Sequence, residues 1–137
     1  MLGEQDLNPL GFHNWSTKKR MPTLISPSLI IDKNGSVKLV LGSAGSNRIR
    51  SAIIQVLTNF FIKKYTLRES IYSSRIHLEG KDLHIEPNLK GSIDFNELSG
   101  LNINEFSRLN LFFGGVNAVS PDEAVADPRR GGCSIEC

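Results

Sequence analysis

Leu41-Gly42-Ser43-Ala44-Gly45-Ser46-Asn47-Arg48-Ile49 is the stretch on which the fold of this chain turns. An apolar run, residues 37–41, leads into it, and an apolar stripe begins at Ile49. That layout predicts a strand, a glycine-bearing turn and a helix. Glycine lets the backbone turn tightly and brings bare N–H groups close to a ligand. The first turn of a helix adds unpartnered N–H donors and the positive end of the helix dipole. Such a corner suits a carboxylate, a phosphate or the oxyanion of an acyl-transfer intermediate. It lacks the Lys-Ser/Thr ending of a phosphate-binding loop and the glycine spacing of a dinucleotide site. Taken alone, a plain structural turn is the simpler reading.

Upstream, residues 24–31 (LISPSLII) are apolar and extended, and Pro27 assigns them to an edge or an irregularity. Lys33-Asn34-Gly35 predicts a hairpin turn whose Asn-Gly supplies positive φ, so these residues and 37–41 form an antiparallel pair. Downstream, Ile49, Ala52, Ile53, Val56, Leu57 and Phe60 recur at helical spacing and predict a long amphipathic helix from 47 to about 64. Ile54 and Phe61 widen its apolar face. Thr66 with Glu69 is a capping box that opens a second helix ending near Ser73. Residues 76–78 and 83–85 read as short strands, 94–98 as a short helix stopped by Gly100, and 124–126 as a short strand. Residues 109–113 and 116–119 read as strands joined in a hairpin by Gly114-Gly115. The class is α/β (α+β).

The 137 residues suit one domain with a real core. With 39% hydrophobic and 22% charged residues the composition is globular, and no apolar stretch approaches a membrane span. A net charge of +2 argues for no nucleic-acid partner, and Lys18-Lys19-Arg20 and Lys63-Lys64 read as solvated surface. Cys133 and Cys137 are read as free thiols, and His13, His77 and His84 show no metal-ligand spacing with them. The start of the chain has no basic segment followed by an apolar one, so no signal peptide is expected within it, and localisation is left open. No cofactor is implied. No Ser/His/Asp set has recognisable spacing and no carboxylate pair stands out; Glu4 with Asp6, and Asp122 with Glu123, read as solvated charges.

The order of four blocks carries more than any one of them. Met1-Leu-Gly-Glu-Gln-Asp-Leu-Asn-Pro-Leu-Gly-Phe, Arg20-Met-Pro-Thr-Leu-Ile-Ser-Pro, the Leu41 to Ile49 stretch and Ala126-Asp-Pro-Arg-Arg-Gly-Gly together resemble the γ-glutamyltransferase family. They match the C-terminal part of its small subunit over nearly the whole chain. The resemblance implies an N-terminal-nucleophile hydrolase, an αββα sandwich of which residues 1–137 are a partial piece. It implies γ-glutamyl transfer or hydrolysis, on glutathione or a related amide, through a threonine acyl-enzyme.

Residue by residue, the resemblance puts Gly45 and Ser46 at the oxyanion-hole glycine pair. Serine at the second position can serve through its backbone N–H if its conformation does not demand glycine. Thr23 falls at the first serine of a pair that holds the substrate α-carboxylate, and Leu24 replaces the second. Glu4 falls at the acid that grips the α-amino group, one methylene longer than the usual aspartate. The nucleophilic threonine is expected upstream of the Glu4 block; Thr17, Thr23, Thr58 and Thr66 are not at its place. The chain is therefore expected to be an inactive fragment whose partners are the missing N-terminal part of the small subunit and the large subunit. A non-catalytic paralogue holding an amino-acid carboxylate, or an amidase like the cephalosporin acylases, stands as the alternative.

Overall fold

A computed structural model describes residues 22–89 and 98–135, together with Gly11, Asn14, Thr17, Lys18 and Arg20. Strand β1 (Ser28–Ile31) starts one residue after Pro27 and lies at the edge of a four-stranded antiparallel sheet, followed across it by β2 (Val37–Ala44), β6 (Gly115–Val119) and β7 (Ala124–Val125). Proline has no N–H for a ladder, which suits this edge. The turn into β2 (Val37–Ala44) departs from the sequence reading. Gly35 has φ +83, while Asn34 is not among the residues with positive φ. The Asp32 carboxylate instead accepts the N–H groups of Ser36 and Asn34, and Gly35 N–H donates to the Asp32 carbonyl. The side chain of Asp32 thus organises a longer loop than an Asn-Gly pair alone would make.

β2 runs to Ala44, beyond the apolar residues, because Gly42, Ser43 and Ala44 keep pairing with Asn117, Val116 and Gly115 of β6 (Gly115–Val119). Helix α1 (Arg48–Leu57) follows, and a π-helical stretch, Thr58–Ile62, continues it until Lys64 turns to φ +62. The capping box is formed as expected: Glu69 N–H donates to Thr66 Oγ1, and Glu69 Oε2 accepts from Thr66 N–H. It opens α2 (Leu67–Tyr72). A second sheet holds β3 (Ile76–Glu79), β4 (Asp82–Ile85) and β5 (Asn102–Glu105), with β5 parallel to β4. The expected helix at 94–98 falls largely outside the described residues.

The predicted strand at 109–113 and its Gly114-Gly115 hairpin are overturned. Leu111–Phe113 is a 3-10 turn capped by the Asn110 side chain, and β6 starts at Gly115 and pairs with β2 and with β7 (Ala124–Val125). Gly114, at φ +78, is the bend between turn and strand. Apolar content had suggested a strand, but the Asn110 carbonyl oxygen of the side chain takes Phe112 N–H and bends the chain.

The core lies between the four-stranded sheet and the two helices. Leu39 and Leu41 of β2, Val116 and Ala118 of β6 and Val125 of β7 face Ile49, Ala52, Ile53 and Val56 of α1 and Leu67 and Ile71 of α2. Each such valine, leucine or isoleucine contributes about 1.5–3 kcal/mol by leaving water. The opposite face of the sheet carries Leu29, Val40 and Val119 in register, and they are exposed. Helices on one face and an open apolar row on the other make this half of a layered sandwich.

Candidate active site

β2, anchored by Leu39 and Leu41, delivers Ala44 to the top of the sheet, and α1 leaves from Arg48. Between them Gly45 holds φ +139 and Ser46 holds φ +53. Arg48 N–H donates to the Gly45 carbonyl at 3.1 Å, and Ile49 N–H to the Ser46 carbonyl at 3.0 Å. These bonds use both carbonyls of the corner and leave the N–H groups of Gly45 and Ser46 out. Two N–H groups left free of the turn's own bonds beside a helix N-terminus are donors that an anion could accept from. The sequence set a condition, that the conformation here not demand glycine, and Ser46 sits in the region that favours glycine. Its backbone is left-handed, where glycine sits freely and serine is held at a cost. Its Oγ is buried without a partner.

Gly45 is packed from behind by Gly114. A Cβ on Gly45 would meet Gly114 Cα at 2.8 Å, and one on Gly114 would meet the Ala44 carbonyl oxygen at 2.6 Å. The corner therefore needs two glycines far apart in sequence. Arg48 fastens its helical side: Nε donates to the Phe112 carbonyl at 3.2 Å, and the guanidinium lies 4.7 Å from the Phe112 ring centroid. Asn47 Nδ2 donates to Glu79 Oε1 at 3.1 Å, which ties the helix start to β3.

Thr23 lies upstream of β1, exposed, with Oγ1 accepting Ile25 N–H at 3.2 Å. Leu24, where the resemblance put a second serine, is buried in the core beside Leu39 and Leu41. Its apolar side chain is used for packing. Glu4 lies outside the described residues. Gly45 and Ser46 share one corner, then, while Thr23 uses its hydroxyl oxygen locally.

The fold brings together two groups that spacing did not show. Ser51 Oγ lies 2.8 Å from His77 Nδ1, and His77 Nε2 lies 3.7 Å from Glu79 Oε2. This serine–histidine–carboxylate contact is a tie between α1 and β3, since Gln55 beside it also bonds both the N–H and the carbonyl of Ile76. The backbone N–H groups around Ser51 bond back along the helix, so none is spare to hold an oxyanion there. Burial, with the charges of Arg48 and His84, pushes the His77 imidazole below its ordinary 6.5, and Glu79 only partly offsets this. The second group is Arg75, Glu86, Asp127 and Arg129, all buried. Burial and the charge of Arg129 lower the Arg75 guanidinium, against Asp127 and Glu86. The Asp-Pro-Arg block signalled half of that cluster; nothing in sequence tied Arg75 or Glu86 to it.

The family model for gamma-glutamyltranspeptidase matches residues 3–137. The capsule biosynthesis protein CapD proenzyme of Bacillus anthracis is 30% identical over 93% of this chain and 25% of its own length. The human glutathione hydrolase 5 proenzyme is 31% identical over 83% of this chain and 20% of its own. Among solved structures, the Bacillus anthracis transpeptidase enzyme CapD superposes with a TM-score of 0.73 at 30% identity, covering 88% of this chain and 75% of that one. Gamma-glutamyltranspeptidase from Pseudomonas nitroreducens, complexed with L-DON, gives 0.68 at 26% identity, covering 90% and 66%. The architecture is that of the N-terminal-nucleophile hydrolases. The chain belongs to the gamma-glutamyltranspeptidase family. It spans about a fifth to a quarter of the length of these curated relatives.

Proposed function

We propose that this chain supplies the oxyanion hole and part of the glutamate site of a γ-glutamyl-transferring or -hydrolysing enzyme. The observation that carries the reading is the corner at Gly45 and Ser46, whose two N–H groups take no part in the turn's own bonds. The threonine nucleophile and the remaining substrate contacts come from the preceding part of the small subunit and from the large subunit. A threonine hydroxyl attacks the γ-carbonyl carbon of the donor and passes its proton to a base, its own amine being suited to that task. The carbonyl oxygen becomes an oxyanion, which the Gly45 and Ser46 N–H groups stabilise. The C–N bond then breaks, the amine leaves with a proton, and a γ-glutamyl ester remains. Water or an amino acid attacks the ester and frees the threonine.

Thr23 holds the substrate α-carboxylate: its oxygen accepts from Ile25, so its hydroxyl hydrogen remains to donate. Glu4 pairs with the α-ammonium group. The isolated chain is inactive on this reading. Assembly with the preceding segment and the large subunit, assayed on a chromogenic γ-glutamyl anilide, is expected to restore turnover. A well-folded complex without turnover would overturn the proposal. A second reading, a non-catalytic domain that holds an amino-acid carboxylate, draws on the burial of Leu24 and the serine at position 46. Calorimetry of the isolated chain with glutamate and glutathione separates the two, since heat of binding without turnover in the assembled protein favours the second.

A further inference from the structure

Arg75, Glu86, Asp127 and Arg129 form a closed set of two cations and two anions inside the molecule. Asp127 Oδ2 accepts from Arg75 NH2 at 2.7 Å, and Asp127 Oδ1 from Arg129 NH1 at 3.3 Å. Arg129 Nε donates to Glu86 Oε1 at 2.8 Å, and Arg129 NH2 to Glu86 Oε2. A cluster of this kind gives no clear gain in stability, because desolvation of the charges offsets their attraction. Its backbone contacts suggest what else it does.

The bonds to backbone gather on both sides of one glycine. Arg75 NH1 donates to the Phe113 carbonyl at 3.4 Å, Val116 N–H donates to Asp127 Oδ2 at 2.7 Å, and Asn110 N–H donates to Glu86 Oε1 at 2.8 Å. Phe113 and Val116 flank Gly114 and Gly115. Further bonds go to the end of α2, where Arg75 and Arg129 both donate to the Ile71 carbonyl and Arg129 to that of Ser73, while the Arg75 and Arg129 backbone N–H groups donate within the cluster to Glu86 and Asp127. Gly114 is in turn the wall behind Gly45, so close that neither residue has room for a Cβ. Gly115 lies under the exposed side chain of Arg130. A displacement of the bend at Gly114 must therefore reach Gly45.

We propose that the Arg75–Glu86–Asp127–Arg129 cluster is a positioning device for the Gly45–Ser46 corner: it pins the backbone on either side of Gly114, and Gly114 sets the place of Gly45. The catalytic meaning of this rests on the corner being an oxyanion hole; the mechanical coupling does not. None of the four side chains acts on substrate. Together they fix the N–H pair where the oxyanion forms.

The test uses Asp127→Asn, which keeps the size and removes the charge that holds Arg75. A second variant, Arg75→Lys, keeps the positive charge but cannot reach the Phe113 and Ile71 carbonyls together. Hydrogen exchange on the full 137-residue chain reads the Arg48 and Ile49 amides, whose bonds to Gly45 and Ser46 close the corner. Expected is an acceleration on the order of tenfold at those two amides, with the Asp32 and Gly35 amides of the distant hairpin unchanged. In the assembled enzyme, kcat is expected to fall on the order of tenfold to a hundredfold while KM stays within about twofold. Unchanged exchange at Arg48 and Ile49 in a folded variant, or a uniform acceleration over the whole sheet, would overturn the coupling. If Asp127→Asn does not fold, Arg75→Lys decides by the same readings. An assembled wild type without turnover would sink the oxyanion-hole reading alone, because the exchange result stands apart from activity.

Discussion

Ser46 is where the local cost of the site is most visible. It is a serine at φ +53 with a buried, unpartnered Oγ. Both features oppose stability, the first by side-chain sterics and the second by desolvation of a hydroxyl. Ser46→Gly removes both, although glycine gives back part of the gain through the entropy of the unfolded chain. The net expected change is a stabilisation of about 1 kcal/mol, read as a higher urea midpoint; a lower midpoint would show that the hydroxyl has a partner. Gly114 makes the opposite case. At φ +78, with the Ala44 carbonyl oxygen 2.6 Å from where a Cβ would stand, Gly114→Ala demands a backbone shift. It is expected to destabilise by about 2–3 kcal/mol. Gly35→Ala, at φ +83 with open space around it, is the control and should lose only about 1 kcal/mol in the same titration.

At the scale of elements, the contact between α1 and β3 carries a pH dependence. Ser51 approaches His77 Nδ1 from the helix, Glu79 faces its other nitrogen from the same strand, and Arg48 and His84 add positive charge around it. Burial and those charges depress the folded-state value below the ordinary 6.5, so the fold binds this proton less readily than the unfolded chain. The stability that comes from keeping His77 neutral is complete above the unfolded value. It is lost as pH falls through the lower, folded one. Thermal midpoints should therefore drop as pH falls below about 6.5, and His77→Gln should flatten the drop. An identical slope in the variant would assign the pH dependence to other groups. The π-helical stretch after α1 is a different matter: the bond from Lys63 N–H to the Thr58 carbonyl records it, and nothing in the packing explains it.

For the whole molecule, the two faces of the larger sheet behave differently. One is sealed by α1 and α2. The other presents Leu29 at 62% exposure and Val119 at 54%, with Val40 between them in register. Among the described residues, this apolar sheet face and its edge strand have no covering layer. Alone, the chain is expected to self-associate and to elute ahead of a 15.2 kDa monomer in size-exclusion chromatography. Val40→Lys, in the middle of the row, should move elution toward the monomer. A monodisperse wild-type monomer would contradict this account.

Much of the fold was legible because local chemistry agreed with tertiary structure. Glycine between an apolar strand and a helical stripe read correctly as a corner, and Thr66 with Glu69 as a cap. Period-two and helical stripes marked the buried faces of β2 and α1. Misreadings arose where a distant partner or a side chain outweighed local pattern. β2 runs on to Ala44 because β6 pairs with it, and the segment before Gly114 bends because Asn110 caps it. β5, Asn-Ile-Asn-Glu, carries a single apolar residue and no alternating stripe; it forms because β4 offers it a ladder.

The sequence by itself determined the family, through ordered blocks, and the position of the turn, through glycine's freedom at positive φ. Only the tertiary structure decided that Leu24 is core, that Gly114 backs Gly45 and that two arginines and two carboxylates far apart in the chain bond the backbone on either side of that glycine. The reason is physical. Backbone freedom and periodicity are properties of neighbouring residues, whereas van der Waals exclusion and buried charge pairing exist only between segments that folding has brought together.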